Sequence, residues 1–428
     1  MHHFLRHRRL QLAIILSITP FLWLFTQSTY LGGWTATIAN LFGFIGAVLI
    51  LWQFALGNRF VVKRFSPDRI SLVKTHIFLG LYGIVFALAH PLLEFFAYGM
   101  SWALFINFDL STEFYQQVML GRLAFYLLLI VWITSAFLRR KIHYRPWLYI
   151  HYLTYPLLLF IFFHATEIGT AINHYPFIQA YWFFLIFVYW GLVLGRLTAF
   201  FNLGKPRYSL TNKQTLANGI TRYTFTPAGK HITPQVGQFA YIRPSFFGEA
   251  HPFTIMQFDD QTGEITFGIK AVGRFTSQLE SLDIGHAIYL DGPYGVFTNP
   301  AHNHQPKVII AGGIGVTPFV ELIQRFSGPD TRMFYCNKQL KDAVLRQEFQ
   351  HELEQNYFDV ISREQITGKN IVQGRLTQQT FTKYVDQALL SQANYFICGS
   401  PAFMTGIKSL LTELGIDQSR IYSEEFGF

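Results

Sequence analysis

Four histidines lie in two apolar segments of the sequence, His76 and His90 in one and His151 and His164 in the other. The separations are 14 and 13 residues, about 20 Å along a helix axis at ~1.5 Å per residue. Fourteen residues is close to four helical turns, so the two histidines within one segment are expected on one side of its helix. Two such helices side by side would offer two histidine pairs, one above the other, within a membrane about 30 Å thick.

Paired imidazoles at matching depths are the ligands that two stacked bis-histidyl haems require. An iron with both axial positions filled by imidazole is suited to electron transfer rather than to ligand activation. The sequence has no C-x-x-C-H motif, so any haem is expected to be held non-covalently, as haem b. The alternative is four core histidines with internal partners, but ionisable residues are costly within a membrane. We therefore predict that these four residues ligate two haems.

The composition indicates a membrane protein. Of the 428 residues 51% are hydrophobic and only 14% are charged, against about 25% charged in an ordinary soluble domain. The apolar excess is confined to the first half, where six spanning helices are predicted at 10–26, 35–56, 71–97, 118–138, 147–164 and 177–200. No small-residue cleavage site follows the first helix, which we therefore interpret as a retained anchor.

Basic residues alternate loop by loop along the first half. The connections 27–34, 98–117 and 165–176 contain no Lys or Arg. By the positive-inside rule, both termini and the second half are predicted to be cytoplasmic, with the helices in the cell membrane. This signal accounts for most of the net charge of +9 without a nucleic-acid partner. The basic residues are Arg6, Arg8, Arg9, Arg59, Lys63, Arg64, Arg69, Arg139, Arg140, Lys141 and Arg145.

Two charged residues lie within the predicted spans. Arg122 falls near the outer end of the fourth helix, where it could pair with a haem propionate or extend to the membrane interface. Glu94 lies one turn beyond His90 and could relay a proton, receive a cation or simply be interfacial. These alternatives stay open for each residue.

Residues 207–297 are predicted to form a small antiparallel barrel, because short strand patterns are separated there by Gly, Pro and Asn. The expected strands are 208–210, 220–226, 239–244, 253–258, 265–270 and 287–291.

Two segments of this barrel have the residue types that a flavin needs. His251, Pro252, Phe253 and Thr254 begin a strand, and Phe253 offers a flat apolar wall while Thr254 offers a hydroxyl to the redox-active edge of the ring. Residues 268–276 end a strand and open a short helix, whose backbone N–H groups suit a pyrophosphate. Each segment alone could also be an ordinary strand start or turn. The predicted contacts in the second segment are Ile269, Lys270, Gly273, Phe275 and Thr276.

A nucleotide-binding pattern follows the barrel. The buried strand pattern 307–311 is followed by a glycine loop and a helix, the arrangement that places phosphates at a helix N-terminus. The spacing is not G-x-G-x-x-G, so the ordinary Rossmann fingerprint is absent. Further strand–helix units begin at 331, 358 and 395. The predicted nucleotide contacts are Gly312, Gly313, Ile314, Gly315, Val316, Thr317, Pro318, Cys398, Gly399, Ser400 and Pro401.

Three polar residues and the last residue complete the predicted site. Ser362, Arg363 and Lys369 follow a strand and could grip a 2′-phosphate, which favours NADPH over NADH. The alternative is a solvated basic loop. Phe428 ends the sequence, where a terminal aromatic is usually frayed but could instead cover the flavin where the nicotinamide must arrive.

Taken together, these segments resemble the membrane NADPH oxidase and ferric reductase superfamily over nearly the whole chain. The histidine spacings, HPFT, residues 269–276, GGIGVTP, CGSP and the terminal Phe occur in the family's order. The resemblance implies a six-helix di-haem membrane domain (1–204), an FAD-binding antiparallel barrel (205–302) and an NAD(P)H-binding α/β domain (303–428). It also implies FAD at 251–254 and 270–276, the nucleotide at 312–318 and 398–401, and catalytic roles for Thr254, Cys398 and Phe428.

The sequence departs from the family at positions that bear on the electron acceptor. Ile371 stands where plant-type ferredoxin-NADP reductases usually have a tyrosine, and Glu94 stands where animal oxidases have a second histidine. Residues 31–58 contain no arginine, whereas animal oxidases have one near the outer haem. The first expectation is a prokaryotic-type NADPH oxidase that reduces O2 to superoxide. The alternatives are a ferric or cupric reductase for metal uptake, an electron donor to a periplasmic protein, and a non-catalytic haem sensor.

Overall fold

The computed structural model describes residues 2–27, 31–58, 61, 69–101, 106–217, 219–246 and 248–424. The chain divides into two compact units, Met1–Ala199 and Phe200–Phe428. The first unit is helical, and the second contains two β-sheets.

The described helices of the first unit include six stretches that are long and apolar enough to cross a membrane, which confirms the six predicted spans. These stretches are Arg8–Gln27, Trp34–Leu56, Leu72–Tyr98, Glu113–Ala136, Tyr144–Ile168 and Pro176–Phe200. The described α-helices of this unit are α1 (His2–Leu22), α2 (Trp34–Leu56), α3 (Arg69–Phe78), α4 (Ile84–Tyr98), α5 (Glu113–Ala136), α6 (Tyr144–His151), α7 (Thr154–Ile168), α8 (Thr170–His174) and α9 (Pro176–Phe200), of which α8 lies between the last two stretches.

Both histidine-bearing spans are interrupted, which the sequence pattern did not predict. A π turn, Leu79–Gly83, joins α3 to α4 between His76 and His90. A π turn holds more residues than an α turn. It therefore accommodates part of the extra residue in the separation of His76 from His90, which is 14 residues against 13 for His151 and His164. In the other span, α6 ends at His151 and α7 begins at Thr154, shortly before Pro156, which has no N–H to donate.

The membrane helices pack as two neighbouring pairs. Helix α2 packs along α4, α5 packs along α7, and α2 also contacts α7. The apolar core between them includes Phe44, Leu157, Phe162 and Trp182. Each histidine-bearing span therefore has one companion helix that runs beside it.

The second unit begins with the predicted antiparallel barrel, which closes in the order β1-β2-β5-β4-β3-β6. Alternate side chains such as Leu210, Phe225 and Phe267 fill its interior, as the two-residue period of a strand requires. Its elements are β1 (Arg207–Ala217), β2 (Ile220–Pro227), β3 (Phe239–Arg243), β4 (His251–Phe258), β5 (Ile265–Lys270), α10 (Arg274–Glu280) and β6 (Ala287–Tyr294).

The rest of the second unit is an α/β domain, also as predicted, with six parallel strands in the order β10-β9-β8-β7-β11-β12. The strand order reverses at β7, and ligands of such sheets bind beside the carboxyl ends at this point. The strands are β7 (Lys307–Gly312), β8 (Thr331–Asn337), β9 (Tyr357–Ile361), β10 (Ile371–Gln373), β11 (Asn394–Cys398) and β12 (Ile421–Glu424). The helices are α11 (Val320–Phe326), α12 (Arg346–Leu353), α13 (Gln378–Thr382), α14 (Gln387–Gln392) and α15 (Pro401–Glu413).

Candidate functional site

The structure brings the four membrane histidines together as two pairs. The rings of His76 and His151 have centroids 6.0 Å apart. His90 and His164 lie close enough to interact electrostatically. A metal–imidazole bond is about 2 Å long, so an iron between two imidazoles needs ring centres roughly 6 Å apart. The separation of His76 and His151 fits that requirement.

Three of the four histidines direct Nδ1 to a main-chain carbonyl of the companion helix. The Nδ1 atoms of His76, His90 and His164 lie 3.0, 2.8 and 2.8 Å from the carbonyl oxygens of Gln53, Ala39 and Gln117. When iron takes Nε2, Nδ1–H donates to such an acceptor, which fixes the ring and strengthens it as a ligand. These contacts are therefore the ones that haem ligands need.

Two glycines make room for the rings of His90 and His164, and sequence reasoning missed both. A Cβ on Gly43 would lie 2.9 Å from the His90 ring, and a Cβ on Gly121 would lie 2.5 Å from His164 Nδ1. Each glycine follows by four residues the carbonyl that the histidine contacts, at Ala39 and Gln117. The available signal was a glycine in the middle of α2 and another in α5, since small residues allow membrane helices to approach closely.

The histidine pairs suit haem rather than a bare metal ion. Within the described part of the chain, no group of three or more His, Cys, Asp or Glu side chains could hold an ion by itself. A haem brings four nitrogen ligands of its own, so two imidazoles complete its iron. His76, His90, His151 and His164 are the residues that fit this group.

The two charged residues predicted near the outer pair are both in the membrane unit. Arg122 is only 9% exposed, next to Gly121, and contacts Met119 Sδ, which favours an internal partner over the membrane interface. The Glu94 carboxylate lies 3.7 Å from His90 Nδ1. Glu94 therefore lies beside the pair formed by His90 and His164.

A cleft of about 1060 Å³ in the second unit collects most of the other predicted residues. One wall is formed by the barrel, and the other by the carboxyl ends of the parallel strands. Small-molecule sites usually measure roughly 300–1000 Å³, so the cleft is at the large end of this range. The predicted residues that line it are Pro252, Phe253, Thr254, Ile269, Lys270, Thr276, Gly312, Gly313, Ile314, Gly315, Thr317, Ser362, Arg363, Cys398, Gly399, Ser400 and Pro401.

The barrel wall carries an aromatic stack behind Phe253. The Phe275 ring lies 5.9 Å from Phe253 and 4.0 Å from His251, centroid to centroid. His251 and Phe275 do not line the cleft but support Phe253, which does. The Thr276 hydroxyl accepts hydrogen bonds from the N–H groups of Val272 and Gly273 at 3.0 Å, so the Gly273 N–H already has a partner. Gly273 does not line the cleft.

The glycine loop after β7 does not lead directly into an α-helix as predicted. It forms a 3₁₀ segment, Gly313–Phe319, and α11 begins only at Val320. A Cβ on Gly315 would lie 2.5 Å from the main-chain oxygen of Cys398, so the ends of β7 and β11 approach backbone to backbone. Val316 and Pro318 are buried under this loop and do not reach the cleft.

The cleft contains two neutral thiols at strand ends. Burial, with the Glu424 carboxylate on the neighbouring strand as second cause, raises the pKa of the Cys398 thiol well above its ordinary value. Burial raises the pKa of Cys336 to about 12. Both side chains are therefore thiols, not thiolates, near neutral pH.

The polar end of the cleft differs in part from the prediction. Ser362 and Arg363 line it, but Lys369 is exposed on a loop outside it. Phe428 lies outside the described residues. Polar lining residues that sequence reasoning missed include Asn337, Lys338, Asp342 and Arg375. The signal that could have found them is their position at or shortly after the ends of β8 and β10.

Three protein-family models match this chain. The ferric reductase like transmembrane component matches residues 42–162, the oxidoreductase FAD-binding domain matches 207–299, and the oxidoreductase NAD-binding domain matches 309–409.

Curated relatives include NADH-cytochrome b5 reductase 2 of Mycosarcoma maydis, 26% identical over 195 residues (40% of this chain, 56% of the relative). The flavohemoprotein of Rhodopirellula baltica is 28% identical over 160 residues (35% and 39%). The chain thus spans about half or less of these two relatives. Among solved structures, the FAD/NAD-binding domain of nitric oxide dioxygenase from Vibrio cholerae is 21% identical, with a TM-score of 0.45 (51% of this chain, 98% of that chain).

The three matches occur in the order and combination that the sequence resemblance predicted. This chain is a multi-pass membrane protein in which a ferric-reductase-like transmembrane component is followed by oxidoreductase FAD-binding and NAD-binding domains, a combination that fits a ferric-reductase/NADPH-oxidase-like fusion.

Proposed function

We propose that this protein passes electrons from cytoplasmic NADPH, through FAD and two stacked bis-histidyl b-type haems, to an acceptor outside the membrane, with O2 as the first candidate and superoxide as the product. The observation that carries the proposal is the set of four histidines in two pairs on helices of one membrane unit. The proposed domains are 1–204 for the haems, 205–302 for FAD and 303–428 for the nucleotide.

When bound, FAD would supply hydride acceptance and single-electron release, and the haems would supply one-electron transfer. The protein supplies ligands and spacing. His76 and His151 hold the inner group, and His90 and His164 hold the outer one. Arg122 is proposed to meet a propionate of the outer group.

In the cleft, we assign the barrel wall to FAD and the strand ends to the nucleotide. Phe253 packs on the flavin, and Thr254, which is buried at the cleft wall, offers its hydroxyl to the redox-active edge. The glycine loop and residues 398–401 hold the nicotinamide half of the nucleotide. Because Cys398 is a neutral thiol, it can pack beside the nicotinamide without placing a negative charge there. Phe428 is proposed to cover the flavin until the nicotinamide arrives.

The preference for NADPH is assigned to Ser362 and Arg363, with Arg375 as a further cation that lines the cleft. Lys369, the other cation that the sequence suggested, lies outside it. A charged hydrogen bond contributes about 1.5–3 kcal/mol, roughly 10- to 100-fold in affinity. We expect Arg363→Ala to raise the KM for NADPH by that factor and to leave the KM for NADH within about threefold. Steady-state kinetics with both nucleotides checks this.

Arg375→Ala and Lys369→Ala form a matched pair for the same assay. The first is expected to weaken NADPH selectively, and the second to have little effect because Lys369 does not line the cleft. Equal losses for NADPH and NADH in Arg363→Ala would contradict a 2′-phosphate role for this arginine.

The proposed orientation places the basic loops, both termini and the second unit in the cytoplasm, with the helices in the cell membrane. Of the basic loops, the one that contains Arg139, Arg140 and Lys141 lies in the described part of the chain and connects α5 to α6. On this orientation His76 and His151 face the cytoplasmic side, and His90 and His164 lie on the outer side.

The acceptor is tested by NADPH-driven reduction of cytochrome c by the purified, FAD-supplemented protein, with and without superoxide dismutase. The oxidase function predicts that dismutase abolishes the signal. A signal that dismutase leaves unchanged, together with rapid reduction of chelated ferric iron, would favour the ferric or cupric reductase. The observation that favours this second function is the position of Glu94 beside His90, since a carboxylate can bind a metal cation.

A dismutase-insensitive signal without reduction of chelated ferric iron or cupric copper would instead favour a protein acceptor. Absence of NADPH consumption would favour the haem sensor.

A further inference from the structure

One of the four histidines contacts a side chain through Nδ1 instead of a backbone carbonyl. The Nδ1 atom of His151 lies 3.3 Å from the hydroxyl oxygen of Ser135 on α5. The other three contact carbonyl oxygens at 2.8 to 3.0 Å. The inner pair is therefore asymmetric, with His76 on a carbonyl and His151 on a hydroxyl.

The Ser135 hydroxyl is shared with a tryptophan. Trp147 donates its indole N–H to Ser135 Oγ at 3.2 Å, and its ring stacks on the ring of His151 with centroids 5.0 Å apart and planes 25° apart. The Arg139 guanidinium lies 4.5 Å from the centre of the same indole. An indole N–H can only donate, so Ser135 Oγ is the acceptor toward Trp147.

We propose that Ser135 and Trp147 are positioning residues that fix the ring of His151 and set how strongly it donates to the inner haem iron. The proposal rests on the proposed ligation of that iron by His151. With Nε2 on the metal, Nδ1 carries the proton and donates to Ser135 Oγ, and such an acceptor raises the basicity of the ligand. A more basic ligand favours the oxidised iron and lowers the reduction potential.

The shared hydroxyl gives the two residues effects of opposite sign. Ser135→Ala removes the acceptor of Nδ1–H, so His151 donates less and the inner potential rises. Trp147→Phe keeps a ring beside His151 but removes the indole N–H, so Ser135 Oγ accepts more fully from Nδ1–H and the inner potential falls. A purely structural role would not produce this reversal.

The test is redox potentiometry of the purified full-length protein, followed by haem absorption. Ser135→Ala is expected to raise the midpoint potential of one of the two haem components by up to ~59 mV, which corresponds to a tenfold change in the equilibrium constant for its one-electron reduction. The other component should not move. Trp147→Phe should lower the midpoint potential of the same component. Ser135→Thr, which keeps the hydroxyl, should have the wild-type potential.

Thr134→Ala is the matched control, because it removes a neighbouring hydroxyl that bonds to the Ile130 carbonyl at 2.7 Å. It should leave both potentials unchanged. Two haems with unshifted potentials in Ser135→Ala would overturn the positioning role and leave the proposed function intact. Fewer than two haems in the unsubstituted protein would overturn the proposed function itself.

If Ser135→Ala loses haem, the threonine variant decides the outcome. Two haems with wild-type potentials in Ser135→Thr would support the hydroxyl, and loss of haem there would overturn it in favour of packing alone.

Discussion

Replacing His164 by alanine is expected to lower the haem content from two per chain to one and to stop electron delivery to any acceptor outside the membrane. Mutating a residue that only hydrogen-bonds to a metal ligand costs about 10- to 100-fold in metal affinity or activity. Removing the ligand itself is expected to cost more. We therefore expect NADPH-driven acceptor reduction to fall by at least ~100-fold. Flavin reduction by NADPH should continue, because the cleft lies in the other unit.

The measurements are a pyridine haemochrome ratio of haem to protein and stopped-flow bleaching of the flavin. His76→Ala is expected to remove the other haem of the pair and to give the same ratio. A ratio of two haems per chain in either variant would rule out that histidine as a ligand.

Gly121→Ala tests the same site without changing a ligand. Its methyl group would lie 2.5 Å from His164 Nδ1, a separation that forces the ring away from the Gln117 carbonyl. The expected result is again the loss of one haem. Gly191→Ala in α9 is the matched control, since nothing lies within 4 Å of the added methyl, and it should keep two haems.

The spatial pairing of the membrane histidines could be predicted from sequence, because residue type and separation along the two spans were enough to expect it. Their partners could not. Ala39 and Gln117 contribute only backbone carbonyls, and a carbonyl is the same in every residue. The roles of Gly43 and Gly121 depend on rings that belong to other helices, so they become apparent only once the helices are packed.

The cleft was predictable for a different reason. In a parallel sheet the carboxyl ends of the strands meet at one edge, so motifs such as 312–318 and 398–401 were expected to converge. Lys338 and Arg375 were missed because they follow β8 and β10, where no motif marks them, yet they line the same cleft. Lys369 is close to Arg363 in sequence, but its loop carries it away from the lining residues.

The second large effect is expected from Gly315→Ala, which should abolish most NADPH-driven flavin reduction while leaving FAD and haem bound. The added methyl would lie 2.5 Å from the main-chain oxygen of Cys398 and 2.7 Å from the amide nitrogen of Gly399. Backbone atoms within a parallel sheet cannot rotate away as a flexible side chain can. The glycine loop must therefore move from the end of β11, and the nucleotide loses contacts on both strands at once.

We expect the KM for NADPH to rise by at least ~100-fold, equivalent to about 2.7 kcal/mol of binding free energy. Gly191→Ala in α9, outside the cleft and with nothing within 4 Å of the new methyl, should keep wild-type kinetics. Dithionite should still reduce the haems of Gly315→Ala, because that reduction bypasses the nucleotide. Wild-type NADPH kinetics in Gly315→Ala would show that the loop tolerates the methyl, and would remove the main reason for placing the nucleotide between β7 and β11.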